Sequence, residues 1–159
     1  MQFDAPWNDT LRMVTAGASA LVIVAAVLAT RKRQMWVKML ALAAAAAFLT
    51  GSWGYAPRGY SVDGGVITIQ RPFGGVTIEK ADVKSVRPFE EADGVGMIRT
   101  GGNGGMFGFY GNFKSDRLGS HKWYVTDKAR MVVIETRDGA VVVSPDNPAK
   151  FVEAANRKQ

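Results

Sequence analysis

The sequence predicts a membrane-anchored α+β chain. A two-helix transmembrane hairpin comes first, followed by a mainly antiparallel β domain of barrel or sandwich type that ends in a helix. Three observations carry this reading. Two uncharged, mostly apolar runs, Met13–Thr30 and Met39–Pro57, stand back to back. Four basic residues, Arg31, Lys32, Arg33 and Lys38, separate them. After Pro57 the pattern turns to short β-type runs broken by Gly, Asp and Pro, and only the tail returns to a helical period.

Each apolar run is long enough to cross a bilayer, which takes about 17–25 residues. The expected spans are about 12–30 and 36–56, which assigns residues 1–57 to the flank and hairpin and 58–159 to the β domain. The leader holds Asp4 and Asp9 against a single Arg12. A signal peptide would start with a basic region and a shorter apolar core, so the first run is expected to be retained as a span. Basic residues mark the cytoplasmic side. They place the turn Arg31–Lys38 inside the cell, and both termini with the β domain outside, in the inner membrane of a bacterium. Trp7, Trp36, Trp53 and Tyr55 lie near the span ends, where interfacial aromatics are found.

The spans are rich in small residues, among them Ala16, Gly17, Ala18 and Ala43 to Ala47, which allow helices to approach closely. They pack the pair together or dock it against helices of another subunit. Neither apolar run, Met13–Thr30 or Met39–Pro57, contains a charged residue or a histidine. Proton relays and ion pathways normally need the first, and axial ligation of a haem-type pigment commonly uses the second.

The chain has 159 residues and a formal net charge of +6. From Gly51 onward Lys and Arg exceed Asp and Glu by only 15 to 12. That is a mixed surface without the basic stripe of a nucleic-acid binder. The absence of cysteine excludes disulfides, thiolate catalysis and Cys-ligated metal sites.

Within the β domain the expected strands begin at Tyr60–Val62, Val66–Gln70 and Val76–Glu79. A fourth runs through Val86 towards Phe89. Lys122–Thr126 follows, then Met131–Arg137 and Ala140–Ser144 around an Asp138-Gly139 hairpin turn. Asp146 is positioned to cap a last helix with Phe151, Val152 and Ala155 on one face. The count is about seven strands.

Thr100–Gly119 stands apart, with seven glycines interleaved with Met106, Phe107, Phe109, Tyr110 and Phe113. It lacks the Gly-Lys-Ser/Thr of a phosphate loop and the strand–GxGxxG–helix of a dinucleotide site. Either these aromatics fill the end of the β domain, or they form an exposed tip that meets the bilayer or a partner. A regular strand points alternate residues to opposite faces, so some of them are expected to project outward. Arg99, Lys114 and Arg117, with Lys122, flank the segment and suit anionic headgroups. His121 is expected to be a solvated loop histidine without a catalytic partner. Glu90, Glu91 and Asp93 are expected to form a solvated acidic turn.

Tyr60, Val66–Ile69, Val76–Glu79, Asp82–Val86, Met97–Arg99, Gly105–Gly111, Leu118-Gly119, Trp123–Thr126, the hairpin around Asp138-Gly139, Val143–Asp146 and Phe151 together resemble a bacterial pleckstrin-homology-like domain. The resemblance covers about Tyr60 to Arg157. It implies a strongly bent seven-stranded barrel-like sandwich capped by a helix, with no catalytic residues. The basic pocket of phosphoinositide-binding relatives is not matched, because Arg71, Lys80 and Lys84 are scattered. The expectation is therefore a non-enzyme without cofactor, metal or nucleic acid. It is an accessory subunit of a larger integral membrane complex of energy-transducing type (photosynthetic or respiratory) or of secretion type. Membrane lipids and other membrane subunits are its partners. The alternative is a stand-alone lipid- or peptide-binding sensor at the membrane surface.

Overall fold

The computed structural model describes residues 1–157. Two helices, α1 (Asp9–Ala29) and α2 (Met35–Gly54), form an antiparallel pair. At about 1.5 Å per residue each is about 30 Å long. Both are long and apolar enough to cross a membrane by length and composition. Asn8 caps α1, its Oδ1 accepting from the Leu11 N–H at 2.7 Å. Half-buried positions recur every fourth residue, at Ala18, Val22 and Ala26 on α1 and at Val37, Ala41, Ala45 and Leu49 on α2. These small or slim side chains let the two helices pack. The remaining apolar surface is open, with Leu21 70% and Met39 64% exposed.

The β domain contains two sheets. The first has the order β1 (Gln2–Asp4), β2 (Gly59–Asp63), β3 (Val66–Gln70) and β4 (Val76–Glu79). The second has the order β5 (Val83–Pro88), β9 (Val132–Thr136), β10 (Gly139–Val143), β8 (Gly119–Val125), β7 (Phe109–Ser115) and β6 (Ile98–Gly104). All neighbours are antiparallel except β8 and β10, which run parallel. Helix α3 (Pro148–Asn156) packs on β5 and β2.

Tyr60, Ile67, Ile69, Val132, Ile134, Val143 and Phe151 form the main core. The Phe151 ring meets Phe3 and Tyr60 edge-on at 5.2 and 6.2 Å. The Tyr60 hydroxyl donates to the Tyr124 carbonyl at 2.7 Å and accepts from the Ser144 N–H at 3.2 Å. Burial pushes this phenol up to about 12, against the opposing pull of its Ser144 hydrogen bonds. Alternation in the second sheet builds another cluster on its opposite face: Phe113, Trp123, Val125, Val133, Ala140 and Val142. Phe89, Met97, Leu118 and Met131 cover it. A strand buried on both faces reads as a continuous apolar run, as Val132–Ile134 and Val141–Val143 do.

The structure corrects several expectations. There are ten strands among the described residues, not seven, and neither sheet closes into a barrel. One strand precedes the helices: Phe3 pairs with Tyr60, so the chain start joins the first sheet. Asn147, not Asp146, caps the last helix, accepting from the Lys150 N–H at 3.1 Å. Thr136 pairs with Gly139, so the hairpin turn is Arg137-Asp138. Asp93 is fully buried rather than solvated, because Arg87 and the Glu90 N–H converge on its carboxylate.

His121 is 4% exposed and lies inside β8, not in a solvated loop. Alternation puts it on the face of Trp123 and Val125, where it stacks on Phe113. Its Nδ1 faces the Gly119 carbonyl at 2.8 Å, while its Nε2 has no partner. Truncation to Ala is therefore expected to destabilise the chain by about 2 kcal/mol or more through the cavity. Phe keeps the ring and removes an unpartnered nitrogen, so its cost should stay within about 1 kcal/mol. Thermal midpoints of the two variants in detergent decide this. Equal losses would mean that the imidazole nitrogens matter more than the ring.

Candidate functional site

The glycine–aromatic segment is the β6–β7 hairpin, and its tip reaches the helices. Gly105 donates to the Gly108 carbonyl at 3.1 Å, and Asn103 Oδ1 accepts from the Met106 N–H at 3.1 Å. Phe107 takes a φ of 60°, and its N–H donates to Thr15 Oγ1 of α1 at 2.9 Å. The Phe107 ring meets Trp7 edge-on at 6.1 Å. The Tyr110 hydroxyl donates to the Ser52 carbonyl of α2 at 2.7 Å and accepts from Asn103 Nδ2 at 3.0 Å. The tip therefore holds the start of α1 and the end of α2 together.

A second loop docks beside it. The Phe73 N–H donates to the Gly54 carbonyl at 2.8 Å, at the end of α2. A Cβ on Gly54 would lie 2.1 Å from the Phe73 ring, so only glycine admits the contact. Phe73 also meets Trp53 and Tyr55 edge-on, at 6.4 and 6.0 Å. Arg58 stacks over Trp7 at 5.3 Å and Trp53 at 5.1 Å. Partial burial lowers its guanidinium from the ordinary value. Arg71 lies 5.6 Å from both Tyr55 and Tyr124. Cations and aromatic rings thus form a belt where the β domain meets one end of the helix pair.

Grooves flank the tip. One, of about 450 Å³, runs between α2 and β6. Another, of about 320 Å³, lies against α1 and carries Lys128, whose ammonium sits 4.2 Å from the Phe109 ring centre.

The family model of the bacterial PH domain matches residues 58–159. This chain belongs to the bacterial PH domain family. No curated protein and no solved structure matches it. PH domains are non-catalytic. Among the described residues no group of three or more His, Asp or Glu side chains could hold a metal ion.

The PH domain treats the expected site residues unequally. Met106, Phe107, Phe109 and Tyr110 are half-buried around the tip. Phe113 is withdrawn from any contact surface: it is 7% exposed and stacks on Trp123 at 4.5 Å. The three flanking cations do not converge. Arg99 lines the groove beside α2. Lys114 is exposed on β7 and pairs in register with Ile98 and Ser120. Arg117 is held by Glu90 and Asp93. Trp7, Trp53 and Tyr55 belong to the belt, whereas Trp36 is 65% exposed near the connector at the far end. Arg31, Lys32 and Arg33 are exposed in that connector, and Lys38 lies in the first turn of α2. Sequence reasoning did not single out Thr15, Ser52, Arg58 and Phe73. The available signal was a polar residue near the same end of each apolar run.

Proposed function

We propose that this is a membrane-anchored, non-catalytic PH domain that works as a stand-alone lipid- or peptide-binding module at the bilayer surface. Its hairpin crosses the membrane, and the connector bearing Arg31, Lys32, Arg33 and Lys38 faces the cytoplasm. The observation that carries the reading is the belt of Trp7, Arg58, Trp53, Phe73, Tyr55 and Arg71 at one end of two open apolar helices. Aromatic and basic side chains of this kind favour the headgroup level. Hydrogen bonds from Phe107 and Tyr110 tie the domain to both helices at that level, which suits a recognition surface held at the membrane.

The absence of cysteine makes the test direct. Asp138→Cys in the PH domain should react with a membrane-impermeant maleimide in intact spheroplasts. Gln34→Cys in the connector should react only after lysis. The reverse pattern overturns the orientation, and release of the chain by alkaline carbonate overturns the hairpin. Purification in mild detergent separates the module from a subunit, since a stoichiometric complex would favour an accessory role.

A further inference from the structure

We propose that the groove between α2 and β6 binds an anionic phospholipid, with its phosphate on Arg99 and an acyl chain along Ala47, Phe48 and Gly51. The proposal rests on the reading that the hairpin crosses the membrane.

The groove is amphiphilic along its length. Arg99 lines it and makes no ion pair among the described residues. No acidic residue lines the groove, so nothing in its wall competes with an anion. The Arg99 guanidinium lies over Gly104, where a Cβ would come within 2.0 Å of Nη1. A glycine there leaves room for the planar head. β6 is the edge strand, so alternate N–H groups along it point away from β7. Tyr55 also lines the groove and brings a hydroxyl. A phosphate takes up such donors together with a guanidinium.

Ala47, Phe48 and Gly51 give the groove an apolar stretch along α2. Ala47 lies seven residues before the end of α2, about 10 Å further along the helix axis. Phe48 and Met106 line the groove, and at Gly51 a Cβ would meet nothing within 4 Å. This stretch continues into the open apolar surface of α2, where Met39, Leu40 and Leu42 are exposed, so a chain seated in the groove passes directly into the hydrocarbon. A free phosphate would use Arg99 but not the apolar stretch, and a zwitterionic lipid would bring its own cation against Arg99. The charge and the length of the groove together select an anionic lipid.

The test uses the full chain in nanodiscs of phosphatidylcholine and phosphatidylglycerol, with retained lipid counted by native mass spectrometry after mild release. Arg99→Gln is expected to lower phosphatidylglycerol retention roughly tenfold, the loss that follows removal of one charged hydrogen-bond donor. Phosphatidylcholine retention should not change. Gly51→Leu, at a lining position where a Cβ meets nothing within 4 Å, narrows the groove and should lower retention similarly. Gly17→Leu on α1, also in open space, and Lys150→Gln on α3 should retain lipid as the wild type does. Excess inorganic phosphate should not displace the lipid. Wild-type retention by both Arg99→Gln and Gly51→Leu overturns the groove, as does displacement by phosphate. Carbonate extraction of the same variants keeps the two ideas apart. A chain that resists extraction yet shows no difference among variants loses only the groove, whereas a chain that is extracted loses the hairpin.

Discussion

Asp93→Ala is expected to destabilise the PH domain by about 2–4 kcal/mol, through lost charge-assisted hydrogen bonds and a Glu90 N–H left without its acceptor. The carboxylate is fully buried. It accepts from Arg87 Nη1 at 2.7 Å, from Arg87 Nη2 at 2.9 Å and from the Glu90 N–H at 2.8 Å, with Arg117 Nε at 3.5 Å. Arg87 is itself tied to Glu135 at 3.1 Å, so this one carboxylate fastens the Glu91–Gly94 turn to β5 and, through Arg87, to β9. The hydrogen bonds from Arg87 hold the Asp93 carboxyl below its ordinary value of 3.8, against the pull of burial. A depressed carboxyl stabilises the fold fully above its ordinary value and loses that contribution as pH falls through the folded-state value. The wild-type thermal midpoint should therefore drop on acidification below the ordinary carboxylate range. The Asp93→Ala midpoint, already low, should show a shallower dependence there. Parallel curves for the two proteins would place the acid sensitivity in other carboxylates.

The same residue shows how far a sequence reads. Glu90, Glu91 and Asp93 form an acidic turn by any local rule, and local rules make such turns solvated. The burial of Asp93 is decided by Arg87 on a neighbouring strand and by Arg117 from the β7–β8 turn, and no window of sequence joins these. Strands with one-sided burial and ordinary turns were legible to the residue: Val66–Gln70 and Val76–Glu79 end where their pattern ends. The three-residue β1 was not, because its only signal is pairing with Tyr60, across the two helices. His121, Trp123 and Val125 alternate, which could have revealed the buried face. The neighbouring Ser120 and Lys122 made the site look wet. The helices themselves were legible to within a few residues from apolar run length. What the sequence could not show is the docking. Thr15 and Ser52 are minor polar interruptions of apolar runs until the β6–β7 tip supplies their partners.

The glycines of that hairpin carry the largest backbone effect. Gly102 and Gly111 face each other in register, with φ values of 104° and 126°. A Cβ on Gly111 would lie 2.4 Å from the Gly101 carbonyl oxygen and 2.7 Å from the Gly102 Cα. On Gly102 it would lie 2.2 Å from the Tyr110 carbonyl oxygen. These are backbone atoms, so no rotamer change relieves the collision and the two strands would have to part. Gly111→Ala is thus expected to cost about 3 kcal/mol or more, combining a forbidden backbone angle with the clash. Gly119→Ala is the matched control: its φ is 61°, and a Cβ there meets nothing within 4 Å. It should cost about 1–2 kcal/mol, the left-handed penalty alone. The consequence reaches the contacts with the helices. With β6 displaced from β7, the Phe107 N–H leaves Thr15 and the Tyr110 hydroxyl leaves Ser52. Hydrogen exchange across Gly101–Phe113 should then accelerate by far more in Gly111→Ala than in Gly119→Ala, while amides within α1 and α2 remain protected. Equal exchange and equal midpoints in the two variants would show that β6 and β7 can separate without cost, and the tip would then be no clamp on the helices.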